Sequence, residues 1–249
     1  MEEFITLFNQ KYADYFGEAA KREFAEACFK HYEMLLKYNE SFNLTRITTV
    51  CDSVLYHYID SIFVSKALDI EKAKKAKFAD IGSGGGFPAF PLYFWLAYQK
   101  GCDVEFTMFE SSNKKSDFLN IVAGSLGVFK KVKSYAFRAE EAGADLKFRE
   151  KFDFVTARAV SAVPVLMEYC APLLKVNGSA LLMKGLEIHD EISASINAQK
   201  ELSVRISKKS PAYEIEGLDR KRQILIIEKY AQTKKIYPRN PGMAKKLPL

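Results

Sequence analysis

The residues best suited to chemistry lie in one short stretch, FADIGSGGGFP at residues 78–88. An apolar strand that leads through a glycine-rich turn into a helix is how a doubly wound α/β domain binds a nucleotide-like ligand. Gly82 and Gly84 carry no side chain, so the backbone can approach a ligand closely, and the first N–H groups of the helix remain available to it. The stretch therefore predicts a ligand that contains adenosine.

A carboxylate stands directly before this turn. Asp80, if it faces the pocket, would repel a pyrophosphate and attract a cation. S-adenosylmethionine carries a sulfonium and an ammonium group and no phosphate, so we expect it to be the ligand, with Asp80 among the residues that bind it. An NAD-dependent oxidoreductase is the weaker alternative, because the glycines lack a clean G-x-G-x-x-G context.

Two further acids follow predicted strands. Glu110 ends the second strand, where a carboxylate can accept from both ribose hydroxyls of an adenosine. Glu140 follows the third strand, where its side chain and the backbone of Ala139 are placed to contact the exocyclic amine of adenine. The alternatives are an exposed carboxylate at a strand end and a charged first turn of a helix.

Cations end the fourth and fifth predicted strands, at the edge where such sheets bind ligands. Arg158 suits a substrate phosphate or a cofactor carboxylate, and a structural ion pair is the alternative. Lys184 either contacts an RNA backbone or is solvated. His57 and Asp60 share one helix face at spacing i, i+3, which suits a catalytic pair or, more commonly, a buried hydrogen bond.

The cysteines and histidines give no sign of a metal site. Four cysteines and three histidines lie far apart without a Cys-x-x-Cys pair, so we expect reduced thiols and no metal. No apolar run is long enough to span a bilayer, and the acidic amino terminus lacks the layout of a signal peptide. We expect a cytoplasmic protein with no membrane partner.

The formal net charge of +6 is concentrated at the carboxyl terminus. From Ala231 to Leu249 there is no acidic residue, and the tail has five cations, which are Lys234, Lys235, Arg239, Lys245 and Lys246. A short basic tail on a nearly neutral body favours an anionic partner, of which nucleic acid is the usual one. A merely solvated terminus is the alternative.

Two kinds of element must position these residues. Residues 1 to about 66 have apolar residues at helical spacing and predict an N-terminal helical layer. Beyond residue 71, strands and helices alternate, which predicts a mostly parallel sheet with helices on both faces. The predicted strands are Phe78–Ile81, Val104–Glu110, Lys131–Tyr135, Phe152–Ala157, Ser179–Lys184, Ser203–Ser207 and Gln223–Lys229; the predicted helices between them are Ala89–Tyr98, Lys114–Leu126, Val163–Leu174 and Glu187–Ala198.

The loop-like segment Lys208–Asp219 separates the last two strands and predicts an antiparallel hairpin that closes the sheet. No linker divides the chain into independent halves. We therefore expect a helical extension packed on the core (1–70), a Rossmann-like domain (71–230) and a basic tail (231–249), in a chain that acts as a monomer.

Several separate motifs occur in the order in which one family has them. From about residue 30 to its end, the chain resembles the small-subunit ribosomal RNA guanine-N7 methyltransferases, also called glucose-inhibited division protein B. The tail is the most specific part of the resemblance, because other methyltransferases lack it. The motifs are NLT at 43–45, His57 with Asp60 and Ser61, DIGSGGGFP at 80–88, RAEE at 138–141, RAV at 158–160, Lys184-Gly185, and in the tail YPR at 237–239, Pro241-Gly242 and KLPL at 246–249.

The resemblance implies a class I S-adenosylmethionine-dependent methyltransferase fold, with a seven-stranded, mostly parallel sheet whose last strand is antiparallel. It implies transfer of a methyl group from S-adenosylmethionine to N7 of a guanine in the 16S rRNA of the small ribosomal subunit. The cofactor contacts that it implies are Gly82, Phe87, Ala139, Glu140 and Arg158. Because N7 carries a lone pair and no proton, the reaction needs no general base.

We expect Arg158 and Lys184 to be the catalytic residues at the mouth of the site and, together with the basic tail, to face the RNA. The chain departs from the family's pattern at two positions: Ala89 stands where the family usually has glycine, and Tyr56 stands where it often has arginine or lysine. The second departure puts one expected RNA contact in doubt.

Other functions remain open at this point. The same fold could methylate another RNA base or a small molecule, and a non-catalytic RNA-binding module is the alternative from a different class. A module would need basic charge across its face, whereas the charge here is concentrated in the tail. Only a methyltransferase should bind S-adenosylmethionine and be stabilised by it.

Overall fold

A computed structural model describes residues 1–218 and 221–249 of the protein. The chain begins with an N-terminal helical layer. In this layer α1 and α2 are followed by consecutive short α, π and 3-10 helical segments over residues 50–67. The layer contains α1 (Glu2–Phe16), α2 (Arg22–Phe42), α3 (Val50–Ser53), a π-helical segment (Val54–Ile59), α4 (Asp60–Ile62) and a 3-10 segment (Phe63–Ala67). Phe4, Phe8 and Tyr12 recur every four residues and are buried, so α1 places one apolar face on the rest of the molecule.

The remaining chain forms a mixed sheet. Its strands are β1 (Lys77–Ile81), β2 (Glu105–Phe109), β3 (Val132–Tyr135), β4 (Phe152–Arg158), β5 (Leu174–Gly185), β6 (Val204–Ile206), β7 (Ala212–Tyr213) and β8 (Arg222–Lys229). The strand order is β3-β2-β1-β4-β5-β8-β6, and β7 pairs with β8. The strands from β1 to β5 pair in parallel, whereas β8 is antiparallel to β5 and to β6. The predicted fold class and the antiparallel closing strand are confirmed, but in the part of the chain that the structure describes the sheet has eight strands rather than the expected seven.

The two-residue strand β7 lies in the segment predicted as a loop, whose last residue, Asp219, is outside the described residues. Further helices flank the sheet: α5 (Ile70–Ala73), α6 (Ala89–Phe94) with a π-helical continuation (Trp95–Gln99), α7 (Asn113–Ser125), α8 (Ala139–Ala144), α9 (Val163–Cys170), α10 (His189–Ala194), α11 (Ile196–Leu202) and α12 (Met243–Lys246).

Two of these helices differ from the prediction. The predicted helix over 163–174 ends at Cys170; Ala171 still has helical backbone angles, but Pro172 has no N–H with which to continue the helical hydrogen bonds. The predicted helix over 187–198 is split at Ser195, whose hydroxyl donates to the carbonyl of Ile192 at 2.7 Å and competes with the helical pattern.

The sheet separates two hydrophobic cores. One contains the N-terminal layer with α6 and α7, and the other contains α8, α9 and α11 with parts of the C-terminal tail. Successive residues of β1 alternate between them, since Phe78 lies in the first core and Ala79 in the second. The N-terminal helices therefore share a core with one face of the sheet. None of the helices described is long and apolar enough to cross a membrane.

Candidate functional site

The glycine loop joins β1 to α6 in a conformation that leaves no room for side chains. At Gly82 the φ angle is +67°, and a Cβ would lie 2.8 Å from Cγ2 of Val160. At Gly86 the φ angle is +93°, and a Cβ would overlap the ring of Phe90. The N–H of Gly84 donates to Oε2 of Glu110 at 2.9 Å. Glycine is required here for both backbone geometry and close packing.

Asp80 has an unused acceptor inside the protein. Its Oδ1 accepts from the Thr156 hydroxyl at 2.6 Å, whereas Oδ2 is buried and has no hydrogen-bond partner among the residues described. Burial raises the pKa of this carboxyl to about 7. A buried acceptor without a donor is costly, so Oδ2 fits a ligand with a cationic donor. The ammonium group of S-adenosylmethionine is such a donor.

Glu110 follows β2 and is buried beside the glycine loop. Its Oε1 accepts from the N–H of Ser112 at 2.9 Å, and its Oε2 accepts from Gly84. Oε1 also accepts from the Ser111 hydroxyl at 3.4 Å, whereas Oε2 keeps a second lone pair, so Glu110 can still accept from a ligand hydroxyl. These bonds fix the Glu110 carboxylate next to the glycine loop.

A cavity of about 130 Å³ lies between the glycine loop and the start of α8. Its walls include Gly82, Ala139 and Glu140, and the tail closes one side with Gly242 and Lys245. Oε1 of Glu140 accepts from the N–H of Gly242 at 2.8 Å. The predicted cofactor residues Gly82, Ala139 and Glu140 thus meet at one cavity, and part of its wall is formed by the tail, which the sequence did not indicate.

The C-terminal tail packs against α8 and α9. Arg239 donates from Nε to Oε1 of Glu168 at 3.0 Å and from Nη2 to Oε2 at 2.6 Å, and Glu168 is only 1% exposed. Nη1 of Arg149 donates to the carbonyl of Tyr237 at 2.7 Å, and its Nη2 donates to that of Thr233 at 2.9 Å. These contacts make the tail part of the folded core.

The prediction that the whole basic tail faces RNA is therefore wrong for two of its five cations. Arg239 and Lys234 are engaged with carboxylates, the latter with Glu201 at 2.7 Å. Lys235, Lys245 and Lys246 are exposed and have no ion-pair partner within 1–218 or 221–249. Only these three remain available to an anionic partner.

Arg158 is held in a buried network at the end of β4. Its Nη1 donates to Oδ2 of Asp60 at 3.1 Å and to the carbonyl of Tyr56 at 3.0 Å. Its Nη2 donates to Nδ1 of His57 at 3.2 Å, and the guanidinium lies over the ring of Phe87, 5.2 Å from the centroid. The ion pair considered as the alternative for Arg158 is thus present. The ring of His57 stacks on that of Phe87 at 4.3 Å.

Asp60 is the centre of this network. Its Oδ1 accepts from the Tyr213 hydroxyl at 2.9 Å, and its Oδ2 accepts from Arg222 at 2.7 Å as well as from Arg158. His57 and Asp60 therefore both hold Arg158 and do not form a catalytic pair. Burial and the charge of Arg158 lower the pKa of His57 to about 3, so its imidazole is neutral at physiological pH.

His31 anchors the glycine loop to α2, a role that no motif in the sequence indicated. Its Nε2 donates to the carbonyl of Gly85 at 2.9 Å, while Nδ1 accepts from the Tyr58 hydroxyl at 3.0 Å. This proton position is assigned from the partners, because a carbonyl can only accept. Burial lowers the pKa of His31 to about 4.

Ala89, which stands where the family usually has glycine, is the first residue of α6. Alanine is therefore accommodated at this position.

A second cavity of about 670 Å³ opens at the carboxyl ends of β4 and β5. Arg158, Lys184 and Arg222 line it together with Glu187 and Glu191. Nζ of Lys184 lies 2.7 Å from Oε2 of Glu191 and donates to the carbonyl of Ser161 at 3.2 Å. The structure therefore brings Arg158 and Lys184 to one cavity, each with a carboxylate partner, and the volume suits a nucleobase with its flanking groups.

The described residues contain no group of three or more His, Cys, Asp or Glu side chains that could hold a metal ion. The four cysteines are free thiols.

Known proteins resemble this chain over most of its length. The sequence model of the GidB family, described as rRNA small subunit methyltransferase G, matches residues 25–223. Ribosomal RNA small subunit methyltransferase G of Clostridium perfringens (strain 13 / Type A) is 40% identical over 222 residues, which are 89% of each chain. The protein of the same name from an Exiguobacterium species is 38% identical over 220 residues, 88% of this chain and 89% of the relative.

Solved structures share the fold at low sequence identity. The structure of Pyrococcus horikoshii TYW2 in complex with MeSAdo superposes with a TM-score of 0.50 at 11% identity, and the match covers 69% of this chain and 62% of the other. A P. horikoshii protein described as a transferase superposes with a TM-score of 0.51 at 10% identity, over 68% and 62% of the two chains.

Proposed function

The chain belongs to the GidB family of small-subunit rRNA methyltransferases, and we propose that it transfers the methyl group of S-adenosylmethionine to N7 of a guanine in 16S rRNA. The observation that carries this proposal is the buried, unpartnered Oδ2 of Asp80 beside the glycine loop. It supports a cationic adenosine ligand rather than a dinucleotide. We further propose that the protein acts on the small subunit as a cytoplasmic monomer.

Four residues hold the cofactor in this proposal. Asp80 accepts from its ammonium group, Glu110 accepts from the ribose hydroxyls, and Ala139 and Glu140 border the adenine. When bound, S-adenosylmethionine supplies a methyl group activated by the positive sulfonium. The glycine loop keeps the backbone close to the cofactor, because a side chain at Gly82 would collide with Val160.

The guanine occupies the larger cavity, next to Arg158 and Lys184. Because N7 attacks with a lone pair, the protein contributes alignment and charge rather than a base, and neutral His57 is not needed as one. The carboxylates of Asp60 and Glu191 balance Arg158 and Lys184. Because these carboxylates offset the two cations, Arg158 and Lys184 repel the positively charged methyl group less during its transfer.

The decisive experiment incubates the purified protein and labelled S-adenosylmethionine with small ribosomal subunits from a strain that lacks the gene. Nucleoside mass spectrometry should then detect labelled 7-methylguanosine. If the label is found in a different methylated nucleoside, the assignment of guanine N7 as the target is wrong. No label in the RNA, with the cofactor bound, would reject the rRNA substrate, and no thermal stabilisation by S-adenosylmethionine would indicate a binding module.

A further inference from the structure

A second basic surface lies at the amino-terminal ends of β1 to β5, opposite the edge that carries the cofactor site. It is a groove of about 500 Å³, with Glu105 as its one acidic lining residue among the residues described. We call it the lysine groove, after the seven lysines that line it: Lys77, Lys130, Lys131, Lys133, Lys147, Lys151 and Lys175.

Ion pairs neutralise only part of the lysine groove. Lys77 pairs with Glu105 at 3.3 Å, Lys131 with Asp103 at 2.7 Å, and Lys175 with Asp153 at 2.6 Å.

The other four lysines are exposed and have no ion pair to a carboxylate in the described part of the chain: Lys130, Lys133, Lys147 and Lys151. Like charges that are gathered in one groove repel one another and add nothing to the fold. Their proximity is explained if an anionic partner lies in the groove.

Aromatic rings lie among these lysines. Nζ of Lys147 is 4.3 Å from the ring centroid of Tyr135 and 5.0 Å from that of Phe148. Nζ of Lys133 is 5.8 Å from the ring of Phe129, which is 48% exposed. Ammonium groups beside the exposed ring of Phe129 suit RNA, because phosphates attract the cations and an unpaired base can stack on an exposed ring, whereas Phe148 is itself buried.

We propose that the lysine groove binds the phosphate backbone of a second segment of 16S rRNA, separate from the segment that carries the target guanine. This inference rests on the proposed function, since the RNA is the methylation substrate. The groove and the cavity beside Arg158 open at opposite edges of the sheet, so a short single strand at the cavity does not reach the groove. Folded rRNA presents several helices and can contact both.

The test compares two triple variants. Lys130→Glu, Lys133→Glu and Lys151→Glu reverse charge in the groove, while Lys200→Glu, Lys208→Glu and Lys209→Glu reverse the same charge at exposed positions near β6. We expect the groove variant to raise KM for small subunits about tenfold or more, with kcat and the affinity for S-adenosylmethionine unchanged. The slope of log binding constant against log salt should fall by about 2, since each lost phosphate contact removes about 0.7–0.9.

The control variant should match the wild type, and both variants should methylate a short RNA that contains the target guanine equally well. Equal KM values of groove variant and control on subunits would overturn the proposal. So would a groove variant that binds protein-free 16S rRNA normally but loses affinity for the assembled subunit, because the partner would then be a ribosomal protein.

Direct binding separates this inference from the proposed function. If the wild type transfers no methyl group, salt-dependent binding of protein-free 16S rRNA still tests the groove, and loss of that binding in the variant supports it. Unchanged binding in the variant rejects it. Unchanged affinity for S-adenosylmethionine shows that a variant is folded. If a Lys→Glu triple variant does not fold, the Lys→Gln triple variant at the same three positions is used in its place.

Discussion

At the scale of single residues, Asp80 is a buried carboxyl next to the glycine loop, and we propose that it binds the cofactor. It is buried near the end of β1 because the strand lies inside the sheet, and its carboxylate accepts from the Thr156 hydroxyl on the neighbouring strand. Burial raises its pKa, the Glu110 charge adds to this, and the Thr156 hydroxyl and the Arg158 charge act in the opposite direction. With its pKa raised to about 7, the carboxyl is partly protonated at neutral pH, and a bound cation would favour its ionised form.

This predicts a pH-dependent affinity. The affinity for S-adenosylmethionine should fall about tenfold from pH 8 to pH 6, because protonated Asp80 has no charge with which to attract the ammonium group. Isothermal titration calorimetry at several pH values measures it. Asp80→Asn should bind weakly with little pH dependence. The same pH dependence in this variant would assign the titration to another group.

Asp60 is the second residue whose charge matters, because it is 0% exposed and accepts from two arginines. Asp60→Asn leaves Arg158 and Arg222 without their shared counter-charge, and we expect the free energy of unfolding to fall by about 3 kcal/mol. Urea denaturation measures this. Glu187→Gln, an exposed change in the same cavity, should stay within about 0.5 kcal/mol of the wild type. Equal stability of the two variants would contradict a structural role for Asp60.

At the scale of elements, the tail after β8 combines two roles. It is fixed to α9 by the ion pair of Arg239 with the buried Glu168, and with Gly242 it forms a wall of the cavity that we propose for the cofactor. A segment that carries much of the net charge thus also lines the cavity that we propose for the cofactor. Loss of the tail should therefore weaken cofactor binding as well as RNA binding.

We expect Arg239→Met to lower the free energy of unfolding by about 3 kcal/mol, since it leaves the Glu168 carboxylate buried without a partner. The same variant should bind S-adenosylmethionine more weakly, because the cavity wall is no longer fixed. Chemical denaturation and calorimetry provide the two measurements. Lys235→Met removes an exposed tail charge and should change neither quantity; if the two variants behave alike, the tail is not held by Glu168.

At the scale of the whole molecule, the N-terminal layer and one face of the sheet share a single hydrophobic core. Phe4, Phe8 and Tyr12 of α1 and Phe24 of α2 lie in that core with Phe78 of β1. His31 adds a polar link from α2 to the glycine loop. The segments 1–70 and 71–230 therefore depend on each other, and their boundaries stay a prediction.

A fragment of residues 71–249 should not fold by itself, because removal of the layer exposes the apolar residues that it covers. Urea unfolding followed by circular dichroism should show one cooperative transition for the full chain and none for the fragment. A cooperative transition in the fragment would show that the layer is an independent addition. The full chain under identical conditions is the control.

The local sequence pattern determined most strands of the sheet and the class of the cofactor. Periodicity located seven strands of the sheet, and the glycines with Asp80 and Glu110 indicated the cofactor, because strand, turn and ligand contacts arise from neighbouring residues. The site roles of individual residues stay predictions. Two predicted helices have other bounds in the structure, because Pro172 and the Ser195 hydroxyl interrupt the helical hydrogen bonds locally.

Only the tertiary structure decided which charges meet. Arg158 and Asp60 are 98 residues apart, and Arg222 and Asp60 are 162 apart, so no spacing in the sequence could pair them. The lysines of the groove come from separate segments between residues 77 and 175, and each alone resembles an ordinary solvated charge. The tail appeared to be a free basic arm until its fold placed Arg239 on Glu168. The sequence determines local geometry and ligand class, whereas long-range electrostatic partners depend on how the strands are ordered in the sheet.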